Sequence, residues 1–206
     1  MRFPARGLYL VTPDVDAHDA AALLARSIDL LPYVRCLQYR NKRADAARGL
    51  QEARAWGAAC RAAGVCFIVN DDPQLALEAE ADGVHLGRAD AGIEAARRLL
   101  GAERAIGVSC YDDIARAHAA ARAGADYVAF GALFPSATKP FAPRAAPALF
   151  AQAAALHLPR VAIGGINADN AEAAVAAGAD LIAVIAGVFG APDPCKAARQ
   201  CAAAFR

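Results

Sequence analysis

Two carboxylates follow two consecutive strand-like runs of the sequence. The apolar run Cys66–Asn70 is followed directly by Asp71, and the run Gly83–Gly87 is followed three residues later by Asp90. The carboxyl ends of strands are where parallel α/β sheets place their chemistry. Two carboxylates with room for water are ligands that Mg²⁺ uses when it also binds substrate phosphates. We therefore predict that Asp71 and Asp90 bind Mg²⁺.

Basic and amide side chains alternate along a second strand-like run. Gln38, Arg40 and Lys42 are spaced two residues apart, so a continuing strand would place all three on one face. Each cation alone would be typical of a solvated rim. Together on an inward face they would be costly to bury without an anion. This spacing therefore predicts a phosphate or diphosphate site. Asn70, at the end of the next strand, could hydrogen-bond an organic ligand bound nearby.

Hydroxyl groups and a lysine follow later strands. Ser109 ends one apolar run, and the segment Phe130–Pro140 carries Ser136, Thr138 and Lys139. The segment lacks the glycine-rich pattern of a nucleotide P-loop, so that motif is excluded. Hydroxyls beside a lysine favour a second phosphate or diphosphate contact.

Glycines mark the ends of the last two strand-like runs. Gly164 and Gly165 end the seventh run, and Gly187 follows the eighth. In barrels these two loops commonly bind phosphate through backbone N–H groups. The four histidines have no metal-ligand spacing, and His85, inside a strand, is predicted to be a hydrogen-bonded interior residue.

These residues depend on elements that alternate along the whole chain. Eight strands are predicted, each followed by an Ala-rich helical pattern, and this order favours a single (β/α)8 TIM barrel in the α/β class, one domain over residues 1–206. The predicted strands are Leu8–Thr12, Cys36–Arg40, Cys66–Asn70, Val84–Gly87, Ala105–Ser109, Tyr127–Gly131, Val161–Gly165 and Leu181–Ala186. The clearest helical patterns are Ala17–Leu31, Asp45–Ala63, Gly92–Leu100, Asp112–Ala123, Ala146–Leu156, Asp169–Ala177 and Pro194–Phe205.

Several other aspartates have predicted structural roles. Asp82, Asp126 and Asp180 each precede a strand in a weakly repeated pattern, which places them at the opposite end of the barrel from the chemistry. Asp72 precedes Pro73 and is predicted to cap a helix.

Composition excludes several classes of protein. Hydrophobic residues make up 57% of the 206 residues and charged residues 21%, which allows a large core and argues against disorder. The formal net charge of +1 gives no reason to expect nucleic acid or an anionic membrane as a partner. We expect small phosphorylated molecules as ligands, and the sequence leaves open whether the chain forms a homo-oligomer.

Cysteine usage and the amino terminus indicate the compartment. The six cysteines have no Cys-x-x-Cys spacing, so buried free thiols in a reducing cytoplasm are expected, with neither a disulfide framework nor a zinc site. Met1 is followed by Arg2-Phe3-Pro4 instead of an apolar signal core, and no run approaches the length of a membrane span. A cytoplasmic location is therefore predicted.

Taken in order and at their spacings, these motifs resemble the thiamine phosphate synthase family over essentially the full chain. The resemblance rests on Gly7–Thr12, Gln38–Lys42, Val69–Asp72, Gly83–Gly87 with Asp90, Ile106–Ser109, Phe134–Lys139, Ile163–Ile166 and Val184–Ile185. It implies a transferase that joins an aminopyrimidine methyl diphosphate to a thiazole phosphate, giving thiamine phosphate and pyrophosphate.

The resemblance also implies roles for individual residues. The pyrimidine diphosphate would be held by Gln38, Arg40, Lys42, Asn70, Ser109 and Lys139. Four of these, Arg40, Lys42, Ser109 and Lys139, would be catalytic. Asp71 and Asp90 would bind Mg²⁺, and the thiazole phosphate would be held by Ser136, Thr138, Gly165, Ile185 and Ala186.

Four positions depart from the family pattern. Ser136 stands where Thr is usual, Asn41 where an acidic residue is common, and Arg88 where Gln is common. Ala186 replaces a usual Ser, which removes one hydroxyl donor from the predicted thiazole phosphate site.

Two rival functions remain open at this stage. A thiazole tautomerase-like relative on the same barrel would need a base near the thiazole and would not need the diphosphate-binding set. A non-catalytic barrel that binds the thiazole phosphate would not need the carboxylate pair. Retention of Arg40, Lys42, Asp71, Asp90, Thr138 and Lys139 favours the synthase over the tautomerase-like relative. Retention of the carboxylate pair favours it over the non-catalytic barrel.

Overall fold

The computed structural model describes residues 3–87, 92–135 and 144–206, and in them eight β-strands alternate with helices. The strands are β1 (Gly7–Val11), β2 (Val34–Tyr39), β3 (Cys66–Asn70), β4 (Gly83–Leu86), β5 (Ala105–Tyr111), β6 (Tyr127–Phe130), β7 (Arg160–Ile163) and β8 (Leu181–Val184).

Nine α-helices occur within the described residues. They are α1 (Ala17–Ser27), α2 (Ala46–Ala63), α3 (Pro73–Glu78), α4 (Ile93–Leu100), α5 (Ile114–Arg122), α6 (Ala148–Gln152), α7 (Ala171–Ala176), α8 (Ala186–Phe189) and α9 (Pro194–Ala203). Short 3₁₀ helices, Ile28–Tyr33 and Ala153–Leu156, continue α1 and α6.

The strands close into a parallel barrel in chain order. Each strand pairs with the next, and β8 returns to pair with β1, where Leu8 lies opposite Ile182. The predicted (β/α)8 barrel is confirmed. All eight strands therefore direct their carboxyl ends to the same mouth, where the predicted site residues were expected to meet.

Strand residues alternate between two apolar layers. One set, which includes Tyr9, Cys36 and Ile68, packs inside the barrel. Their neighbours in sequence, such as Leu8 and Leu37, belong to the larger cluster between the barrel and its helices. This two-residue period is what a strand covered on both faces requires.

Aspartates at the strand starts hold neighbouring strands together. Asp82 accepts a hydrogen bond from the Phe67 N–H at 2.9 Å, and Asp126 accepts from the Ile106 N–H at 2.7 Å. Asp180 accepts from the Arg160 N–H at 2.9 Å and pairs with its guanidinium at 2.7 Å. Their predicted structural role at the end opposite the mouth is confirmed.

Two helices are shorter than predicted by four residues or more. Helix α1 was predicted to reach Leu31 but ends at Ser27, where a 3₁₀ helix containing Pro32 takes over. Proline lacks an N–H and crowds the carbonyl four residues earlier, here that of Ile28, which accounts for the change. Helix α6 was predicted over Ala146–Leu156 and is α-helical only over Ala148–Gln152.

Two strands end two residues earlier than predicted. Strand β7 ends at Ile163 because Gly164 and Gly165 have φ of +99° and +66°, outside the β region. Strand β8 ends at Val184, and Ala186 begins the short helix α8. Both differences reshape the turns that were predicted to hold a phosphate.

All six cysteines are free thiols in the structure. Cys195 is partly exposed and the other five are buried. Burial raises the pKa of the Cys110 thiol to about 12, so this group is a neutral packing residue. Separately, no described helix is both long and apolar enough to cross a membrane.

Glycine at position 107 makes room for an interior aromatic ring. A Cβ on Gly107 would overlap the ring of Tyr127, which is fully buried and stacks on Phe3 with ring centroids 3.9 Å apart. Because Tyr127 is wedged between these neighbours, the ring has no free space into which it could move.

We expect Gly107→Ala to lower the free energy of unfolding by at least about 1–3 kcal/mol, the usual cost of overpacking a core. Gly92→Ala is the matched control, because a Cβ at Gly92 meets nothing within 4 Å and its φ of −61° suits alanine. Urea denaturation of both variants measures the difference. Equal stability of the two would show that the Tyr127 ring is not confined.

Candidate active site

The loops after β1 and β2 are joined by Asp14. Its Oδ2 accepts a hydrogen bond from Nη1 of Arg40 at 2.8 Å, and its Oδ1 accepts from the Lys42 N–H at 2.7 Å. The Thr12 hydroxyl donates to the Arg40 carbonyl and accepts from the Arg40 N–H, each at 2.8 Å. The guanidinium of Arg40 is therefore held in place by residues that sequence reasoning did not single out.

Gln38, Arg40 and Lys42 were predicted to lie on one face of a strand, but only Gln38 lies within β2. Gln38 is inside the barrel and 5% exposed, but β2 ends at Tyr39, so the two-residue alternation stops there. Arg40 and Lys42 lie in the loop that follows, and the Lys42 side chain is 60% exposed at the rim. The prediction that Lys42 is buried on an inward face is therefore wrong.

Asp71 lies where the ends of β3 and β4 meet. It has a φ of +65°, a left-handed conformation that Asp and Asn adopt more readily than most residues. Its N–H donates to the His85 carbonyl at 2.8 Å, and its Oδ2 lies 3.4 Å from Nζ of Lys42. This conformation ends the strand and brings the carboxylate beside the cationic loop after β2.

The donor chemistry of Asp71 fits a magnesium ion. The side chain is 34% exposed, so its carboxylate oxygens can share a cation with water. No cluster of three or more His, Cys, Asp or Glu side chains suited to a metal occurs in the described residues. Mg²⁺ is commonly bound by one or two carboxylates and completes its coordination with water and substrate phosphates.

Five polar side chains from five strands form an interior hydrogen-bond chain. Nε2 of Gln38 lies 2.7 Å from the Tyr9 hydroxyl, which lies 2.9 Å from the Tyr127 hydroxyl. The Tyr127 hydroxyl is 3.0 Å from Nδ1 of His85, and Nε2 of His85 is 2.8 Å from Oγ of Ser109. The chain thus connects two residues predicted to bind the pyrimidine diphosphate, Gln38 and Ser109.

The prediction for His85 is confirmed, since both of its ring nitrogens are hydrogen-bonded inside the barrel. Tyr9 and Tyr127 were missed. The signal for them was weak: each is a lone tyrosine in an apolar strand, which is equally typical of a packing residue. Burial raises the pKa of both phenols well above 10, so both hydroxyls keep their protons.

Arg116 of α5 fastens the ends of β4 and β5 together. Its Nε donates to the Ser109 carbonyl at 2.7 Å and its Nη2 donates to the Gly87 carbonyl at 2.9 Å. The guanidinium also lies 5.8 Å from the centre of the Tyr111 ring. Sequence reasoning missed Arg116 because nothing in its helix distinguishes it from a surface arginine.

The turn after β7 is built closely against neighbouring loops. A Cβ on Gly165 would overlap the Pro135 carbonyl oxygen, and one on Gly187 would overlap that of Ile166. Nδ2 of Asn170 donates to the Gly165 carbonyl at 2.9 Å and holds this turn in shape. The N–H groups of Gly165 and Ile166 donate to no other backbone group of the described residues.

Ile185 and Ala186 lie next to that turn. Ile185 precedes α8, and Ala186 is its first residue and is solvent-exposed. Gly187 links the two turns through its contact with Ile166. The structure thus brings the three described residues predicted for the thiazole phosphate, Gly165, Ile185 and Ala186, to one side of the mouth.

A groove of about 440 Å³ opens beside the predicted diphosphate residues. It is lined by Arg40, Lys42, Asn70 and Asp71 together with residues of α2 and α3. The groove is therefore continuous with the rim of the barrel on the side of β2 and β3.

Asn41 strengthens the same loop from behind. Its Nδ2 donates to Oε2 of Glu52 at 2.9 Å and to the Val15 carbonyl at 3.0 Å. Glu52, only 10% exposed, also accepts from the Tyr39 hydroxyl at 2.8 Å and pairs with Arg48. A carboxylate at position 41 would repel the Glu52 carboxylate, so the amide of Asn41 suits this position.

Four of the predicted site residues, Asp90, Ser136, Thr138 and Lys139, lie outside the described residues, as does Arg88. Their roles stay predictions. The flanking residues that the structure does describe, Gly87 and Pro135, follow the mouth ends of β4 and β6.

Comparison with known sequences identifies the family of this barrel. The sequence profile of thiamine monophosphate synthase matches residues 8–188. The chain belongs to the thiamine monophosphate synthase family. It is 59% identical to a thiamine-phosphate synthase of Xanthomonas campestris pv. campestris, a match that covers 98% of this chain and 96% of that protein. A thiamine-phosphate synthase of Azoarcus sp. is 57% identical, with 97% of each chain covered.

A solved structure agrees with this family assignment, and a second shows the same fold. Thiamine phosphate pyrophosphorylase from Pyrococcus furiosus superimposes with a TM-score of 0.83 and 30% identity, covering 97% of this chain and 95% of that one. A 3-hexulose-6-phosphate synthase with a TM-score of 0.72 and 20% identity shares the fold.

Asp14 provides a test of how the loops are joined. Partial burial alone would raise the pKa of its carboxyl, but the Lys42 N–H and the Arg40 guanidinium outweigh burial and lower this pKa below 3.8. A carboxyl whose pKa is lowered on folding stabilises the protein above its unfolded pKa. That stabilisation is lost as the pH falls through the folded pKa.

We therefore expect Asp14→Asn to lower the free energy of unfolding at pH 7 by up to about 1 kcal/mol, since the pair is partly exposed. The deficit should shrink at pH 3. Urea denaturation at both pH values measures it, with Asp16→Asn as the control because the Asp16–Arg43 pair is more exposed. An equal deficit at both pH values would contradict the assigned ion pair.

Proposed function

We propose that this chain is a thiamine phosphate synthase, which joins the aminopyrimidine methyl diphosphate to the thiazole phosphate and releases pyrophosphate. The observation that carries the proposal is the full-length identity of 59% to a thiamine-phosphate synthase. The clustering of Arg40, Lys42 and Asp71 around one rim of the barrel supports it.

Departure of pyrophosphate is the step that the basic residues would assist. Gln38, Arg40, Lys42, Asn70, Ser109 and Lys139 would hold the pyrimidine diphosphate, with Arg40, Lys42, Ser109 and Lys139 acting on the leaving group. Cationic and hydroxyl donors that meet developing negative charge lower the barrier. The thiazole nitrogen carries its own lone pair, so the attack needs no general base.

Magnesium would be held by Asp71 and Asp90. When bound, the ion supplies further positive charge to the diphosphate oxygens. Lys42, whose Nζ lies 3.4 Å from Oδ2 of Asp71, would contact the same diphosphate from the side of β2.

The thiazole phosphate would bind across the mouth, at Ser136, Thr138, Gly165, Ile185 and Ala186. Among the described residues, the backbone N–H groups of Gly165 and Ile166 are without a backbone acceptor, which suits a phosphate ligand. Because Ala186 lacks a hydroxyl, backbone groups would have a larger share in binding at this turn.

Three wider features belong to the same proposal. We propose one catalytic domain over residues 1–206, which is supported by the match to 96% of the length of the Xanthomonas relative. A cytoplasmic location is supported by the free thiols. Small phosphorylated substrates, with neither nucleic acid nor membrane as a partner, are supported by the family.

The proposed reaction is tested by incubating both substrates with Mg²⁺ and measuring pyrophosphate and thiamine phosphate. Asp71→Asn should lower turnover about 10²–10³-fold, the cost of one lost electrostatic contact to a transition state. Asn tolerates the left-handed backbone at this position, so the thermal melting temperature should hardly change.

The exposed Glu103→Ala serves as the control and should turn over normally. Full turnover of the unaltered enzyme in excess chelator would overturn the magnesium role. Failure to form thiamine phosphate under any metal condition would overturn the proposed function itself.

Ala186→Ser tests the proposed thiazole phosphate site. Since Ala186 is exposed at the start of α8, an added hydroxyl could reach a ligand without burial. We expect the KM for the thiazole phosphate to fall a few-fold, about one hydrogen bond or roughly 1 kcal/mol. Ala55→Ser, at an exposed site on α2, should leave that KM unchanged. An unchanged KM in both variants would place the phosphate elsewhere.

A further inference from the structure

The interior hydrogen-bond chain, Gln38–Tyr9–Tyr127–His85–Ser109, has a direction that its end groups determine. At Gln38 the atom facing Tyr9 is the amide nitrogen, which can only donate. The Tyr9 hydroxyl therefore accepts there and has one proton left to donate. Both phenols stay protonated, so each has one hydrogen for one further bond.

That direction continues from ring to ring. With Tyr9 donating to Tyr127, the Tyr127 proton is directed to Nδ1 of His85, 3.0 Å away. An imidazole nitrogen that accepts a hydrogen bond carries no proton, so a neutral His85 has its proton on Nε2. Nε2 lies 2.8 Å from Oγ of Ser109, which must then accept.

One other acceptor could take the Tyr9 proton. The Cys36 thiol is close enough to interact with Tyr9. Sulfur is a weak acceptor compared with a phenol oxygen, so the 2.9 Å contact with Tyr127 is the stronger of the two.

We infer that Tyr9, Tyr127 and His85 are positioning residues, through which every hydrogen bond of the chain is donated in the direction from Gln38 to Ser109. This direction fixes His85 as the Nε2–H tautomer. Ser109, which accepts from His85, is then left with its own hydroxyl proton to donate toward the mouth. At the other end, Nε2 of Gln38 uses one of its two N–H groups on Tyr9, which orients the amide and leaves Oε1 as an acceptor and the second N–H as a donor.

For catalysis this inference rests on the proposed function. A ligand that fits needs an acceptor opposite Ser109, and a donor where it meets Oε1 of Gln38. The proposed aminopyrimidine diphosphate has both, in its amino group and its phosphoryl oxygens. Loss of the direction would let Ser109 donate inward to His85, and its hydroxyl would no longer be reserved for the substrate.

The tautomer can be measured without any substrate. His18, His118 and His157 are all exposed, so replacing each with Gln leaves His85 as the only histidine. Two-bond ¹H–¹⁵N correlation spectra of this ¹⁵N-labelled protein at pH 8 show which ring nitrogen carries the proton. We expect Nε2–H. A proton on Nδ1 would mean that the chain runs in reverse and would overturn the inference.

A pair of variants then separates positioning from packing. Tyr127→Phe keeps the ring and removes the hydroxyl, whereas Phe3→Leu removes the ring stacked on Tyr127 and leaves the hydroxyl in place. We expect Tyr127→Phe to shift the His85 spectrum and lower kcat about three- to ten-fold, the scale of one hydrogen bond, with little change in the KM for the thiazole phosphate. Phe3→Leu should lower only the melting temperature.

Equal kcat and equal His85 spectra in the two variants would reduce Tyr127 to a packing residue and overturn the inference. Should Tyr127→Phe fail to fold, the tautomer of the unaltered chain still decides it. An Nε2–H tautomer in a protein that makes no thiamine phosphate would remove the proposed function and leave the hydrogen-bond chain intact.

Discussion

Closing eight parallel strands into a barrel leaves an interior that side chains must fill, and much of this structure follows from that requirement. Every second strand residue points inward, so the interior is shared among a limited number of side chains. Two of them are tyrosines and one is a histidine, and their polar atoms need partners because water is excluded. Small neighbours, above all Gly107, provide the space for these rings.

The mouth is organised by charge, in contrast to the interior. Asp14 joins the loops after β1 and β2, and the Asp71 carboxylate faces Lys42 across the ends of β2 and β3. Behind them, Glu52 accepts hydrogen bonds from Tyr39 and Asn41 and forms an ion pair with Arg48. Arg40 and Lys42 are thus attached to a rigid barrel through polar contacts, although they lie in a loop.

Sequence reasoning could predict the features that arise from local periodicity. Strand β3 was predicted residue for residue as Cys66–Asn70, because a short apolar run ends at polar residues there. The Asp14–Arg40 pair and the Tyr9–Tyr127 contact could not be predicted in this way. Their partners are 26 and 118 residues apart, and only closure of the barrel brings them together. The early end of α1 was predictable in principle from Pro32, whose effect extends back four residues.

The ion pairs at the rim also bear on how the mouth discriminates between anions. Arg40 is paired with the carboxylate of Asp14, and Lys42 with that of Asp71, so the positive charge of each is partly neutralised before an anion binds. A free orthophosphate would have to compete with these carboxylates. As parts of the chain, they lose no translational entropy when they pair with Arg40 and Lys42. A diphosphate that arrives with its own divalent cation brings a charge for Asp71 as well as oxygens for Lys42. Under the proposed function, these carboxylates would therefore favour a metal-bound diphosphate over simple phosphates.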